Sequence, residues 1–279
     1  MVLATAILQH MQAEISARGA DWELYREHRE RFTDAVLAVA PPAGGSLCVL
    51  GAGKCNDLDL ERLCLTYREV HLVDLEPGSV ASAIARENEA TRARLFPLTP
   101  VDLSVLTPKR ATKWQRKPPS RSELSASAEA TLQGLLARLR GPFDTVVSAC
   151  VLTQLGFALT RSLGERHPAL GPVRASIVET HLRTSLQLTR PGGRTLFVTD
   201  LASSTHYGLD ELPADADLSQ VMRDVIAQRA FYNVAQPSLI RQLLEEAAPG
   251  SAVVDLPPWL WNGPQQRTYL VYGMVIARR

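Results

Sequence analysis

The chain is short of cysteine, and its four thiols, Cys48, Cys55, Cys64 and Cys150, form no CxxC or other ligand-like pair. That excludes the common structural zinc frameworks. A length of 279 residues buries a core without disulfide staples, so reduced thiols in a cytoplasmic compartment are expected. An excess of charge of one sign is also missing: 30 Lys and Arg against 29 Asp and Glu leave a net charge of +1. No global field therefore draws the molecule onto nucleic acid or an anionic membrane. No apolar run approaches the roughly eighteen residues of a membrane span. Residues 2–8 are apolar but lack a charged start and a small-residue cleavage site, so no signal peptide is expected. Internal repeats and low-complexity tracts are absent as well, which leaves a globular domain.

What is present is an alternation of short β-rich runs with helical stretches. Leu3, Ile7, Met11 and Ile15 recur every four residues and mark one face of an N-terminal helix. A second helix is expected from about Asp21, as N-cap, to Ala38. Strands follow at 46–50, 69–74, 94–102, 143–148 and 195–200, with helices near 58–65 (capped by Asn56 or Asp57), 77–86, 124–140 and 173–188 between them. Such alternation implies parallel crossovers and an open, doubly wound α/β sheet. Two further strands, 252–256 and 267–276, have only a loop between them and suit an antiparallel pair. The segment 107–122 carries six basic residues, three prolines and no acid, so a mobile or extended connection is expected there. Residues 201–247 hold a polar loop and two amphipathic helices, near 218–230 and 237–247, placed to cover a site.

In an open sheet of this kind ligands bind beyond the carboxyl ends of the strands. Four strand ends bring glycine or polar residues to that rim: Gly51-Ala52-Gly53, Asp74-Leu75-Glu76, Asp102-Leu103-Ser104 and Ser148-Ala149-Cys150. Glycines after the first strand allow close backbone approach, and a carboxylate after the second accepts from two vicinal ribose hydroxyls. Asp74 lies 23 residues beyond Gly51, a fitting interval, and Asp102 can accept from an adenine amine. Together they describe an adenosine pocket. A dinucleotide needs G-x-G-x-x-G and a helix N-terminus free of negative charge. Here the third glycine position is Asn56, and Asp57 opposes a diphosphate. A sulfonium cofactor without phosphate suits this loop better.

The succession VLGAGKCNDLDL, HLVDLEPG, VDLS, FDTVVSACVLTQL and RPGGRTLFVTDL resembles the class I S-adenosylmethionine-dependent methyltransferases over residues 46–279. The resemblance implies a Rossmann-like, mostly parallel seven-stranded sheet with an antiparallel C-terminal pair, S-adenosyl-L-methionine as cofactor, and residues 1–45 as an N-terminal helical cap. It implies that Gly51, Ala52 and Gly53 wrap the methionine part, Asp74 and Leu75 hold the ribose, and Asp102 and Leu103 frame the adenine. Ser148, Ala149 and Cys150 would line the sulfonium side through their backbones. Three departures stand out. Val49 occupies the usual acidic position, for which Asn56 or Asp57 can substitute toward the cofactor's amino group; Cys55 stands where glycine is frequent; and Gln154 replaces a frequent histidine.

On the acceptor side His206 is the best-placed titratable group, with Gln154 as an orienting residue and Tyr207, Tyr232 and Asn233 as contacts; a solvated loop residue is the competing reading of His206. Asp200 could bind substrate or metal, but a single carboxylate is poor grounds for a metal, and no metal site is expected. Cys150 in an apolar run reads as a packed thiol rather than a nucleophile. Tyr25 and Arg29 can close over the cofactor, and Leu256-Pro257-Pro258-Trp259 reads as a rigid turn. The basic run reads as a solvated loop, its other reading being a tether for an anionic acceptor; with Trp114 as its one aromatic residue, nucleic acid is disfavoured. The expectation is thus methyl transfer to an O or N atom of a small molecule or peptide. Alternatives are an NAD(P)-dependent oxidoreductase or a catalytically silent binding partner.

Overall fold

A computed structural model describes residues 21–232 and 234–279; the expected helix carrying Leu3, Ile7, Met11 and Ile15, and Asn233, lie outside the described residues. Seven strands form one sheet in the order β3-β2-β1-β4-β5-β7-β6. These are β1 Ser46–Leu50, β2 Glu69–Val73, β3 Leu95–Leu98, β4 Phe143–Ala149, β5 Thr189–Ser203, β6 Ala252–Gly263 and β7 Arg267–Ala277. The first five are parallel, and β7 enters antiparallel between β5 and β6. This is the mostly parallel architecture with a C-terminal antiparallel pair that the motifs imply.

Both faces of the sheet are covered, which is why its strands read as continuous apolar runs. Along β1 the side chains alternate: Leu47 and Val49 join the core on one face, and Cys48 and Leu50 the core on the other. On the first face pack the helices α1 (Asp21–Leu24) and α2 (Arg26–Ala38), α3 (Leu60–Thr66) and α4 (Pro77–Ala85), with Phe32, Leu63 and Val80 fully buried. Each such side chain contributes about 1.5–3 kcal/mol of burial free energy. The short α5 (Glu89–Arg92) leads into β3.

Several boundaries differ from the sequence expectation, each for a local reason. The helix expected over 21–38 is interrupted at Tyr25, which buries its ring edge-on against Trp261 at 5.0 Å. Asp59, not Asn56 or Asp57, caps α3 by accepting from the Arg62 amide. β3 is four residues long rather than nine, because prolines at 97 and 100 withhold ladder donors, so Asp102 lies in the loop beyond it. β5 runs 15 residues, far past the expected 195–200, since β7 pairs with it from Arg194 to Ser203. Leu256 to Trp259 is no turn; it lies inside the edge strand β6, where a register shift accommodates the two prolines.

The basic segment is the largest correction. Pro108–Arg116 is a helix, α6, not a mobile connection. Thr107 caps it, Pro108 occupies its first turn, and Ala111 and Trp114 face inward one turn apart. Trp114 is wholly buried beside Leu159, Val173 and Ile177, and its Nε1 donates to Glu123 at 3.0 Å. Charge concealed a two-residue apolar face. The next helices are α7 (Arg121–Leu139), α8 (Val151–Leu163) and α9 (Leu170–Leu188); α10 (Leu218–Ala227) and α11 (Pro237–Ala247) follow β5 as expected. No helix among the described residues is long and apolar enough to cross a membrane.

Candidate functional site

The site is built first from backbone. At Gly51 the chain leaves β1 with φ +80°, and a Cβ there would stand 2.6 Å from Val151 Cβ. Only glycine fits both the left-handed backbone and the close approach to α8. The amides of Gly51 and Ala52 both donate to the Val73 carbonyl, at 2.9 and 3.0 Å, which ties this loop to the end of β2. Gly53, at φ +51°, donates its amide to Asp74 Oδ2 at 2.8 Å, while a Cβ on its other side would meet nothing within 4 Å. Asp74 Oδ1 accepts from the Glu76 amide at 2.9 Å. Asp74 is therefore a staple between two loops, and the cap of α4 is Glu76. Each carboxylate oxygen keeps a further lone pair for a ligand. Cys55, where the resemblance leads one to expect glycine, takes φ +48° all the same: the backbone shape is kept although the residue is not.

Electrostatics follow from enclosure. Burial raises the Asp74 carboxyl above its ordinary value, against the amides of Glu76, Gly53 and Leu75, which favour its charge. Burial, with the field of Asp74, lifts Asp57 to about 7. Arg29 does not close freely over the site as expected. Its Nη1 donates to the carbonyls of Trp22 (2.8 Å) and Asn56 (3.0 Å), and its guanidinium lies 3.6 Å over the Trp22 ring, which locks α2 onto the glycine loop.

The neighbouring rim residues divide. The Val101 amide donates to the Asp74 carbonyl at 2.8 Å, which sets Asp102 beside the staple. Asp102 itself accepts from the Ser104 amide at 2.8 Å, and burial raises its carboxyl. Leu103 turns into the apolar core under α7, and Leu75 is half-buried next to Asp74. Ser148 points its hydroxyl away from the rim, to His181 Nε2 at 2.8 Å in the core. Ala149 presents its carbonyl toward Gly51, and Cys150, at φ +47°, bonds the Val198 carbonyl through its amide. Burial and the fields of Asp200 and Asp57 push the Cys150 thiol well up, so it is no thiolate nucleophile.

On the acceptor side His206 is exposed in the loop after β5, its Nδ1 3.0 Å from Ser203 Oγ and its ring edge-on to Tyr232 at 4.6 Å. Partial burial, and secondarily Arg267, lower its pKa, which keeps it neutral near pH 7. Gln154 is exposed on α8 and does not cap it, since the cap position is Cys150. Sequence reasoning missed Phe157, Thr153 and Ser203. Phe157 meets Tyr232 at 5.4 Å, Thr153 donates to Asp200, and Ser203 meets His206. All but the last are contacts across dozens of residues, for which the sequence holds no local signal. Among the described residues no group of three or more His, Cys, Asp or Glu side chains could hold a metal ion.

No protein-family model and no curated protein matches the chain. Among solved structures, the N-methyltransferase NodS from Bradyrhizobium japonicum WM9 in complex with S-adenosyl-L-homocysteine is similar at 14% identity, over 97% of this chain and 98% of that one, with a TM-score of 0.46. The methyltransferase domain of bacterial CtHen1-CN is similar at 14% identity over 92% and 98%, with a TM-score of 0.45. Human N-acetylserotonin methyltransferase in complex with SAM is similar at 12% identity over 99% and 56%, with a TM-score of 0.40. The sheet of this chain is mostly parallel, in the order β3-β2-β1-β4-β5-β7-β6, with β7 antiparallel to both of its neighbours.

Proposed function

We propose that the protein is an S-adenosyl-L-methionine-dependent methyltransferase that modifies an O or N atom of a small molecule or peptide. The observation that carries this reading is the staple at Gly53. Its amide is fixed on Asp74 while its other side is open, so a ligand can lie directly on the loop backbone between the carboxylates of Asp57 and Asp74. A cationic nucleoside without phosphate fits that surroundings. A diphosphate fits less well, because the Asp57 side chain beside the loop would oppose it and the third glycine of a dinucleotide loop is Asn56.

In this reading the backbone of Gly51, Ala52 and Gly53 holds the methionine part, Asp74 and Leu75 the ribose, and Asp102 and Leu103 the adenine. Ser148, Ala149 and Cys150 contribute backbone only. Asp57 takes the amino group in place of the acid missing at position 49. When bound, the cofactor supplies a methyl group on a positively charged sulfur. The chain's own residues orient the acceptor against it and exclude water: Gln154 and His206 stand at the acceptor side, with the neutral His206 ring able to take a proton. Residues 1–45 form the cap of this catalytic domain, and the four buried free thiols suit a reducing, cytoplasmic setting.

Calorimetric titration with S-adenosylmethionine, S-adenosylhomocysteine and NADH tests the proposal. Binding of the first two and not the third is expected; binding of NADH alone would overturn it, and binding of none would favour a silent partner.

A further inference from the structure

A carboxylate at the top of β5 has no cation of its own. Asp200 is 5% exposed, opposite Val271 of β7, just before a register shift in that ladder. Its Oδ1 accepts from Thr153 Oγ1 at 2.7 Å, its amide lies against the Cys150 sulfur, and among the described residues it forms no ion pair. One hydroxyl and the residue's own amide offset only part of the desolvation of a buried carboxylate. Burial holds the group up to about 6, so it is still mostly charged at neutral pH. A retained, unpaired negative charge at the ligand-binding ends of the strands fits a site whose cation arrives with the ligand.

The surroundings say where that ligand lies. Tyr232 donates its amide to the Leu201 carbonyl at 2.8 Å, packs on the cores of both sheet faces, and stands within the field of Asp200. Its ring meets the edge of Phe157, which is 54% exposed although large and apolar. Phe157 lies on α8, the helix that also carries Thr153, and Gly156 lets Val234 close on that helix: a Cβ there would be 2.8 Å from Val234. An aromatic strip is thus fixed beside the carboxylate, and ring faces attract ammonium groups as well as apolar bodies. The charge of Arg267 acts on His206 and on Tyr232, whose hydroxyl bonds Ser203, and is not among the groups that act on Asp200.

We infer that the acceptor is an amine on an apolar, ring-sized body, bound as its ammonium against Asp200 with its body on Phe157 and Tyr232; the nitrogen first passes a proton to the Asp200 carboxylate, and the free amine would then form the new N–C bond as the sulfur–methyl bond breaks, leaving a neutral thioether. The inference rests on the proposed methyl transfer and names its substrate class. An alcohol gains nothing from the charge of Asp200, and a carboxylate is repelled by it.

The test is calorimetric titration of the full chain, saturated with S-adenosylhomocysteine, with phenethylamine, 2-phenylethanol and phenylacetate. Phenethylamine is expected to bind at least about tenfold tighter than either analogue. Asp200→Asn should remove that preference while the affinity for S-adenosylhomocysteine stays unchanged. Equal binding of amine and alcohol, preference for phenylacetate, or an Asp200→Asn protein that still prefers the amine would each overturn the inference. Should the variant fail to fold, the amine-to-alcohol ratio in the native protein decides alone. Failure of S-adenosylhomocysteine to bind overturns the methyltransferase reading and this inference with it; its binding without amine preference overturns the inference only.

Discussion

The two halves of the site are built on different principles. Around Gly51, Gly53 and Asp74 the geometry is made by backbone: left-handed glycines, amides on the Val73 carbonyl, and one carboxylate bridging adjacent loops. Around Asp200, Tyr232 and His206 it is made by side chains from β5, α8 and the cover, meeting through ring edges and the hydroxyls of Thr153 and Ser203. Backbone geometry tolerates little change, since a Cβ at the wrong place collides with main chain or a core residue. Side-chain walls can be rebuilt one residue at a time. Under the proposed function, the first half would constrain the ligand to a type and the second would select among acceptors.

Substitutions can break this contrast, and the largest effect is expected at Gly51. Gly51→Val adds a branched side chain at φ +80° against Val151, with a predicted loss of about 2–5 kcal/mol of folding stability by denaturant titration. Gly53→Ala, with open space for its Cβ, should lose only about 1–2 kcal/mol. Equal losses at both positions would refute the close packing assigned to Gly51. Next is Asp74→Ala, expected to weaken S-adenosylhomocysteine binding by about 1–3 kcal/mol; unchanged affinity in calorimetry would place the ribose elsewhere.

A third prediction concerns pH. The Asp57 carboxyl titrates near 7 in the folded protein and near 3.8 when unfolded, so the folded state keeps a proton that the unfolded state releases. Its stabilising effect is complete below the unfolded value and is lost as pH rises through about 7. Asp57→Asn should flatten the fall in stability between pH 5 and pH 8 by on the order of 1 kcal/mol, read from unfolding curves at both pH values. A parallel fall in wild type and variant would assign the dependence to other groups. The smallest effects belong to the exposed residues His206 and Gln154: His206→Ala and Gln154→Ala should each lower kcat by less than about tenfold, below the roughly hundredfold or more of general acid–base assistance. A loss of a thousandfold at His206 would make it the principal base and shift the chemistry away from Asp200.

What could be read in advance tracks the same division. β1, β2 and α11 fall where periodicity placed them, and the glycine loop and Asp74 come together because their partners lie within about one βαβ unit. The register of β5 did not follow from its own residues, since its length is set by pairing with β7, some seventy residues on. The basic helix α6 was hidden because its four basic residues outweigh Ala111 and Trp114 in any local count, yet those two residues decide its burial. Ser148 looked like a rim residue by position, and the pleat of β4 turned its hydroxyl to His181 instead.

The amino-acid order alone determined the alternation of strand and helix, the glycine turn after β1 and the carboxylate after β2, because each depends on backbone conformation and short-range spacing. Only the tertiary structure decided that Thr153 meets Asp200 across 47 residues, that Phe157 and His206 flank Tyr232, and that Asp200 forms no ion pair among the described residues. Those facts depend on which side chains share a small, water-poor space. Packing, unlike periodicity, is a property of elements brought together from distant parts of the chain.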